Sequence, residues 1–190
     1  FSYYGFSPHS PIPFPSPCNM SEKDVPVFFA EYRRLVRDYG DKIQLYVAME
    51  IDYINREWGP AIDYFRRLPL DYRIGSVHFI PSFNDKDQYV DIDGHFDSFK
   101  EKMRVFFDND IESVVKSFYH QSIEMIEQGG FDIIGHFGKI GHNAGHFREG
   151  IELEDWYIKL VEDTFAAIMD NNLIIEVNTK ALDKHQRTFP

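Results

Sequence analysis

The sequence predicts an α/β domain organised around a parallel sheet. Three observations carry that prediction. Apolar, β-branched segments alternate with amphipathic ones along the 190 residues. The strand-like segments are near-continuously apolar, as expected when both faces of a sheet are covered. Glycine and proline punctuate the joints between segments. Five strands at this spacing fit either an open doubly wound sheet or part of a barrel, and in both cases ligands gather beyond the C-terminal ends of the strands.

The elements follow in order. "SYYGF" (2–6) reads as a strand and runs into a proline-rich loop (11–17). "SEKDVPVFFAEYRRLVRDYG" (21–40) places Ser21 three residues before an acidic one and closes on Gly40, with Phe28, Tyr32, Leu35 and Val36 on one stripe. That pattern is a capped amphipathic helix. "KIQLYVAMEIDYI" (42–54) is a strand expected to end near Glu50, and Pro60 opens a short helix over 59–68. "YRIGSVHFI" (72–80) is a third strand, ending near His78. The charged stretch 81–94 reads as a long loop, of a length that often carries function.

From 95 to 128 the sequence is helical, with Ile111, Val114, Val115, Phe118, Ser122, Met125 and Ile126 on its apolar stripe and Gly129-Gly130 as its stop. "FDIIGHFG" (131–138) is a fourth strand entering His136. Residues 153–172 are a helix with Val161, Phe165 and Ile168 facing inward. "LIIEVNT" (173–179) is a fifth strand, carrying Glu176 and Asn178 at its end.

Composition narrows the function. The chain is 43% hydrophobic and 27% charged, ordinary for one globular domain spanning 1–190. Twenty Lys and Arg against 31 Asp and Glu give a net charge of −11, which repels a nucleic-acid backbone but permits a small anionic substrate beside local cations. No apolar run approaches the ~20 residues of a membrane span. The one cysteine, Cys18, can form no internal disulfide, so it is read as inert and a reducing cytoplasm as the simplest home.

Three predicted strands end on a histidine (His9, His78 and His136) and a fourth ends on Glu50. In a parallel sheet those ends share one edge. Imidazole and carboxylate are the ligand set for Zn²⁺, Mn²⁺ or Fe. The remaining histidines have plainer readings. His120 is a surface or packing residue, His95 caps a helix or touches substrate, and His185 is solvated. His142 and His146 are spaced like a helical metal pair, but Gly141 and Gly145 argue for a loop. Asp52 reads as a polar residue or a partner of a ligand rather than a ligand.

"GFSPHSP" (5–11), "AMEIDYI" (48–54), "GSVHFI" (75–80), "DIIGHFGKI" (132–140) and "IIEVNT" (174–179), in that order, resemble the PHP (polymerase and histidinol phosphatase) family, most closely its histidinol-phosphatase branch. The resemblance implies a parallel β/α barrel of the distorted (β/α)7 type, with up to three divalent metal ions at the strand ends. It implies His9, Glu50, His78 and His136 as metal ligands. Lys139 and Arg187 would be the phosphate-binding cations, with no catalytic group beyond the metal ligands.

The activity implied is a cytoplasmic, metal-dependent phosphomonoesterase of histidine biosynthesis, hydrolysing L-histidinol phosphate. The alternatives are a related phosphoesterase for another small phosphomonoester or a nucleotide, and a non-catalytic PHP-like binding module. The family's first ligands, a His-x-His, have no match in this sequence, and the histidine downstream of "EVNT", His185 in "DKHQR", is not read as the family's last ligand motif, an Asp-x-His. Pro8 also stands where relatives often carry Asp. On this reading the chain is an incomplete barrel, an internal fragment that opens on the second strand at Phe1 and ends after the sixth at Pro190.

Overall fold

A computed structural model describes residues 1–177. The chain runs β1 (Tyr3–Phe6), α1 (Val25–Tyr39), β2 (Gln44–Asp52), α2 (Asp63–Arg66), β3 (Tyr72–Ser76), β4 (Phe79–Pro81), β5 (Tyr89–Asp91), α3 (Phe96–Phe106), α4 (Ile111–Gln128), β6 (Ile133–Ile134), α5 (Ile140–Phe147), α6 (Asp155–Asp170) and β7 (Ile174–Ile175). Five strands form one sheet in the order β1-β2-β3-β6-β7, every neighbouring pair parallel. The order advances in one direction, as in a barrel wall. A doubly wound sheet would reverse at a switch point. Among the described residues the wall is open, with β1 and β7 at its edges.

The alternation along β2 sets up everything that follows. Val47, Met49 and Ile51 point to one face and join Val25 and Phe29 of α1 and Phe65 of α2 in a buried cluster. Glu50 and Asp52, two residues apart, therefore share the opposite face. The larger apolar cluster lies among α3, α4, α5, α6 and the β4–β5 hairpin, with Phe99, Met103, Val114, Phe118, Met125 and Ile168 nearly inaccessible.

Several sequence-based boundaries need correcting. β2 continues past Glu50 to Asp52, because Ala48 to Asp52 pair with Tyr72 to Ser76. The predicted strand 72–80 is two strands. β3 ends at Ser76, and Phe79–Pro81 turns away to pair antiparallel with Tyr89–Asp91, inside the segment read as a loop. The helical region 95–128 is broken at 107–110, where Asp108 and Asn109 take positive φ and the Asp110 carboxylate accepts from the Ser113 N–H to start α4.

Residues 140–147 are helix α5 rather than loop. Burial of Ile140, Asn143 and Ala144 outweighs the roughly 1 kcal/mol that each glycine costs relative to alanine. α1 starts at Val25, and Ser21 bonds the Asp24 carboxylate instead of a backbone N–H. Its buried stripe includes Val25 and Phe29, while Val36 is exposed. On α6, Phe165 is exposed and Tyr157, Thr164 and Ile168 face inward.

Candidate metal centre

The four predicted ligands lie just past the strand ends or, for Glu50, within the strand, rather than on the last strand residues. His9 sits three residues after β1, in a lone parallel bridge with Glu50, where the Glu50 N–H donates to the Pro8 carbonyl (3.0 Å) and the Ser10 N–H to the Glu50 carbonyl (2.8 Å). His78 occupies the turn between β3 and β4. His136 follows β6 through Gly135, at φ +20°. Glycine suits 135 because a Cβ there would collide with Ser76 Oγ and sit 3.2 Å from Ile74 Cγ2. The His136 backbone is held in its sparsely populated conformation by the Glu176 carboxylate, which accepts from its N–H at 2.9 Å.

The side chains converge. Glu50 Oε1 lies 3.1 Å from His136 Nε2 and 3.4 Å from His78 Nε2, and the two Nε2 atoms are 3.2 Å apart. The second Glu50 oxygen, Oε2, faces His9 Nε2 at 3.8 Å. His9 also stands edge-on to the His78 ring, their centroids 5.0 Å apart. Asp52, on the same face of β2, is fully buried. Its Oδ1 lies 2.6 Å from His78 Nδ1, and its Oδ2 accepts from Asn19 Nδ2 at 2.8 Å. Ser76 donates to Glu50 Oε1 at 2.8 Å.

These contacts assign the tautomer of His78. A proton on Nδ1 satisfies the buried Asp52 carboxylate, so Nε2 presents a lone pair toward a carboxylate oxygen and a second imidazole nitrogen. With the His136 Nε2 likewise deprotonated, the three atoms would present lone pairs to one point, the arrangement that holds a cation. Donors about 2.0–2.1 Å from a common ion, at inter-ligand angles of roughly 90–110°, stand about 2.9–3.4 Å apart. The three measured separations, 3.1, 3.2 and 3.4 Å, fall in that window. Two overlapping sets have the spacing of a metal site, Glu50 with His78 and His136, and His9 with Asp52 and His78. The donor chemistry therefore fits a divalent ion.

Electrostatics agree. Burial raises the proton affinity of Glu50, but the hydrogen bond to His136 and the charges of His78, His136 and His9 overcome it and hold the carboxyl far below its usual range. For His78, burial disfavours the cation, yet the Asp52 carboxylate outweighs it and leaves the imidazole above its ordinary value, with Lys139 opposing.

Lys139 is brought to the same side of the site. It shares a small cleft with His78 and Asp93 and forms an ion pair with the Asp93 carboxylate. Burial pushes the Asp93 carboxyl up, and Lys139 more than reverses that. Arg187, Asn178 and His185 lie outside the described residues. His120 and His95 are exposed, and Cys18 is an exposed free thiol. Asp52, read from the sequence as a polar residue or a ligand's partner, contacts His78 Nδ1 through Oδ1. Asn19, Ser76 and Glu176 also support the site, and the sequence alone marked none of them as doing so. Ser76, two residues before His78 on the face that meets Glu50, and Glu176, at the end of the fifth predicted strand, carried readable signals, and Asn19 carried none.

A one-way parallel β/α wall with histidines and a glutamate converging at its C-terminal edge defines an α/β protein of barrel-wall type with a candidate divalent-metal centre. The PHP domain profile matches residues 1–180, and the chain belongs to that family. A Schizosaccharomyces pombe protein provisionally named histidinol-phosphatase is 25% identical over 202 residues, a match that covers 99% of this chain and 62% of the relative. The chain thus spans less than two thirds of that relative's length.

Two solved structures share the fold. One is a provisionally named histidinol phosphatase from Listeria monocytogenes, with a TM-score of 0.79 and 18% identity, matched over 100% of this chain and 76% of its own. The other is histidinol phosphate phosphatase from Lactococcus lactis, with a TM-score of 0.64 and 17% identity over 96% and 64%. The Lactococcus protein was solved with zinc, L-histidinol and phosphate. Among the described residues no helix is long and apolar enough to cross a membrane.

Proposed function

We propose that this chain supplies metal ligands of a divalent-metal-dependent phosphomonoesterase that converts L-histidinol phosphate and water to L-histidinol and phosphate, a step of histidine biosynthesis in the cytoplasm. The observation that carries the reading is the convergence of Glu50 Oε1, His78 Nε2 and His136 Nε2 within 3.1–3.4 Å of one another. The name of the S. pombe relative and the ligands of the Lactococcus neighbour support the choice of substrate.

Divalent ions bound here would acidify a water molecule and neutralise phosphoryl oxygens. The chain's own residues set the geometry for that chemistry. Glu50 directs one oxygen to His78 and His136 and the other toward His9, the arrangement a bridging carboxylate needs. Asp52 keeps the His78 Nδ1 proton and turns Nε2 inward. Lys139, paired with Asp93 in a cleft beside His78, would exchange that carboxylate for a phosphoryl oxygen. Arg187 is proposed as a second such cation on the family resemblance alone.

The test is phosphate release from L-histidinol phosphate by the full-length protein with Mn²⁺ or Zn²⁺, compared by kcat/KM with other phosphomonoesters and a nucleotide. His78→Ala and Glu50→Ala should both fall to background. Failure to hydrolyse any phosphomonoester overturns the enzyme reading and leaves a binding module. A clear preference for another monoester overturns only the substrate.

A further inference from the structure

The chain leaves the site after His9, makes an excursion over residues 10–20, and returns when the Met20 N–H donates to the His9 carbonyl at 3.1 Å. Asn19 closes this excursion from inside. Its Nδ2 donates to the Ser10 carbonyl at 2.9 Å and to Asp52 Oδ2 at 2.8 Å, while its Oδ1 accepts from the Ser16 hydroxyl at 2.7 Å. The Ser16 oxygen in turn accepts from the Cys18 N–H at 3.2 Å, so its proton is directed at Asn19. The orientation of the Asn19 amide is thereby settled. Turned over, its oxygen would face a carboxylate and a carbonyl, two acceptors with no proton between them.

Asp52 is a buried carboxylate with two partners, Asn19 on Oδ2 and His78 on Oδ1. A buried carboxylate oxygen left without a donor is costly, and the group relaxes toward whatever donor remains. If Asn19 is removed, the next ring nitrogen facing Oδ2 is His9 Nδ1, 3.9 Å away. A rotation that brings Oδ2 to His9 carries Oδ1 off His78 Nδ1. The His78 proton can then move to Nε2, where it blocks the lone pair facing Glu50 and His136.

We propose that Asn19 is a positioning residue of the metal centre. It locks the Asp52 carboxylate so that His78 keeps its proton on Nδ1 and offers Nε2 to the ion. This rests on the metal-centre reading above and extends it to a loop side chain that touches none of Glu50, His78 or His136. Metal affinity is thereby coupled to the seating of loop 10–20, because the amide that holds Asp52 also holds the backbone next to His9.

The experiment is Zn²⁺ affinity, measured by competition with a chromophoric chelator, for the wild type, Asn19→Ala, Asp52→Asn and the double variant. Asn19→Ala should weaken binding about 10-fold, within the 10–100-fold range for partners of metal-bound histidine. In the Asp52→Asn background the same change should add less than about 2-fold, because its effect passes through Asp52. The ¹⁵N shifts of His78 in the metal-free protein report the tautomer directly, and Asn19→Ala should move population from Nδ1–H to Nε2–H. A general packing defect would not do that.

Ser16→Ala leaves Asn19 in place but frees its amide to turn. It should shift affinity and tautomer in the same direction by less, and it carries the test if Asn19→Ala does not fold. Unchanged affinity in the folded variants, independent effects of the two substitutions, or an unmoved tautomer each overturn the inference. A wild-type protein that binds no Zn²⁺ overturns the metal centre itself, and the inference with it.

Discussion

Gly135→Ala tests whether the strand that delivers His136 is fitted to the strand that supports Glu50. Gly135 is not at a positive φ, so alanine is compatible with its backbone and the perturbation is purely one of space. The new Cβ would overlap Ser76 Oγ and crowd Ile74 Cγ2 at 3.2 Å. The β3–β6 pairing through Gly75 and Ile134 limits how far the two strands can part.

Two outcomes compete. Either the strands separate, an overpacking cost of about 1–3 kcal/mol, or Ser76 rotates and gives up its 2.8 Å bond to Glu50 Oε1. A hydrogen bond to a charged group contributes about 1.5–3 kcal/mol, so neither route is free. At roughly 3 °C per kcal/mol for a protein of this size, the midpoint of thermal unfolding should fall by about 3–9 °C.

Ser76→Ala distinguishes a specific clash from general disruption. It loses the bond to Glu50 but opens the space that the added methyl group would need. Adding Gly135→Ala on that background should therefore cost no more than about 0.5 kcal/mol, a coupling of about 1–2 kcal/mol between contacting positions. Urea or thermal melts of the four proteins measure this. Independent effects of the two substitutions, or a neutral Gly135→Ala, would refute the account of why glycine precedes His136.

Three further outcomes are expected. Chelation of bound metal should lower the melting temperature, since a ligand at 100 times its Kd stabilises by about 2.7 kcal/mol; an unchanged melt after verified metal loss would contradict the site. Gln121→Leu should destabilise by about 2–4 kcal/mol in chemical denaturation, because Gln121 Nε2 donates at 2.8 Å to both the Tyr53 and Phe79 carbonyls beneath α4. Asp110→Ala should cost about 1 kcal/mol as a lost helix cap. The bonds from Ser113 hold the Asp110 carboxyl below its ordinary value. Its extra stabilisation is therefore full above the unfolded-state value near pH 4 and lost as pH falls through the folded one. The gap between wild type and Asp110→Ala should narrow between pH 7 and pH 3.

Local pattern carried much of the fold. The stripe of α4 and the apolar run of β2 were legible because burial acts through periodicity, which sequence displays directly. The break between Ser76 and Phe79 was not legible. "YRIGSVHFI" is uniformly strand-like, and it divides only because the Tyr53 N–H takes the Ser76 carbonyl while the His78 carbonyl accepts from the Ile92 N–H. The glycines around His142 and His146 pointed away from a helix, and tertiary packing of Ile140 and Ala144 overrode that preference.

The sequence by itself determined the candidate ligand types, their order, and the two-residue spacing that puts Glu50 and Asp52 on one face of β2. Those are properties of residue identity and of the pleat. Tertiary structure alone decided that Glu50 Oε1 and the two imidazole Nε2 atoms stand 3.1–3.4 Å apart. It also decided that Asp52 holds the His78 proton on the outward nitrogen, that Lys139 is held by Asp93, and that Asn19 reaches across 33 positions to Asp52. Such contacts join segments far apart in the chain. Their geometry is set by strand register and loop closure, which no local pattern of residues encodes.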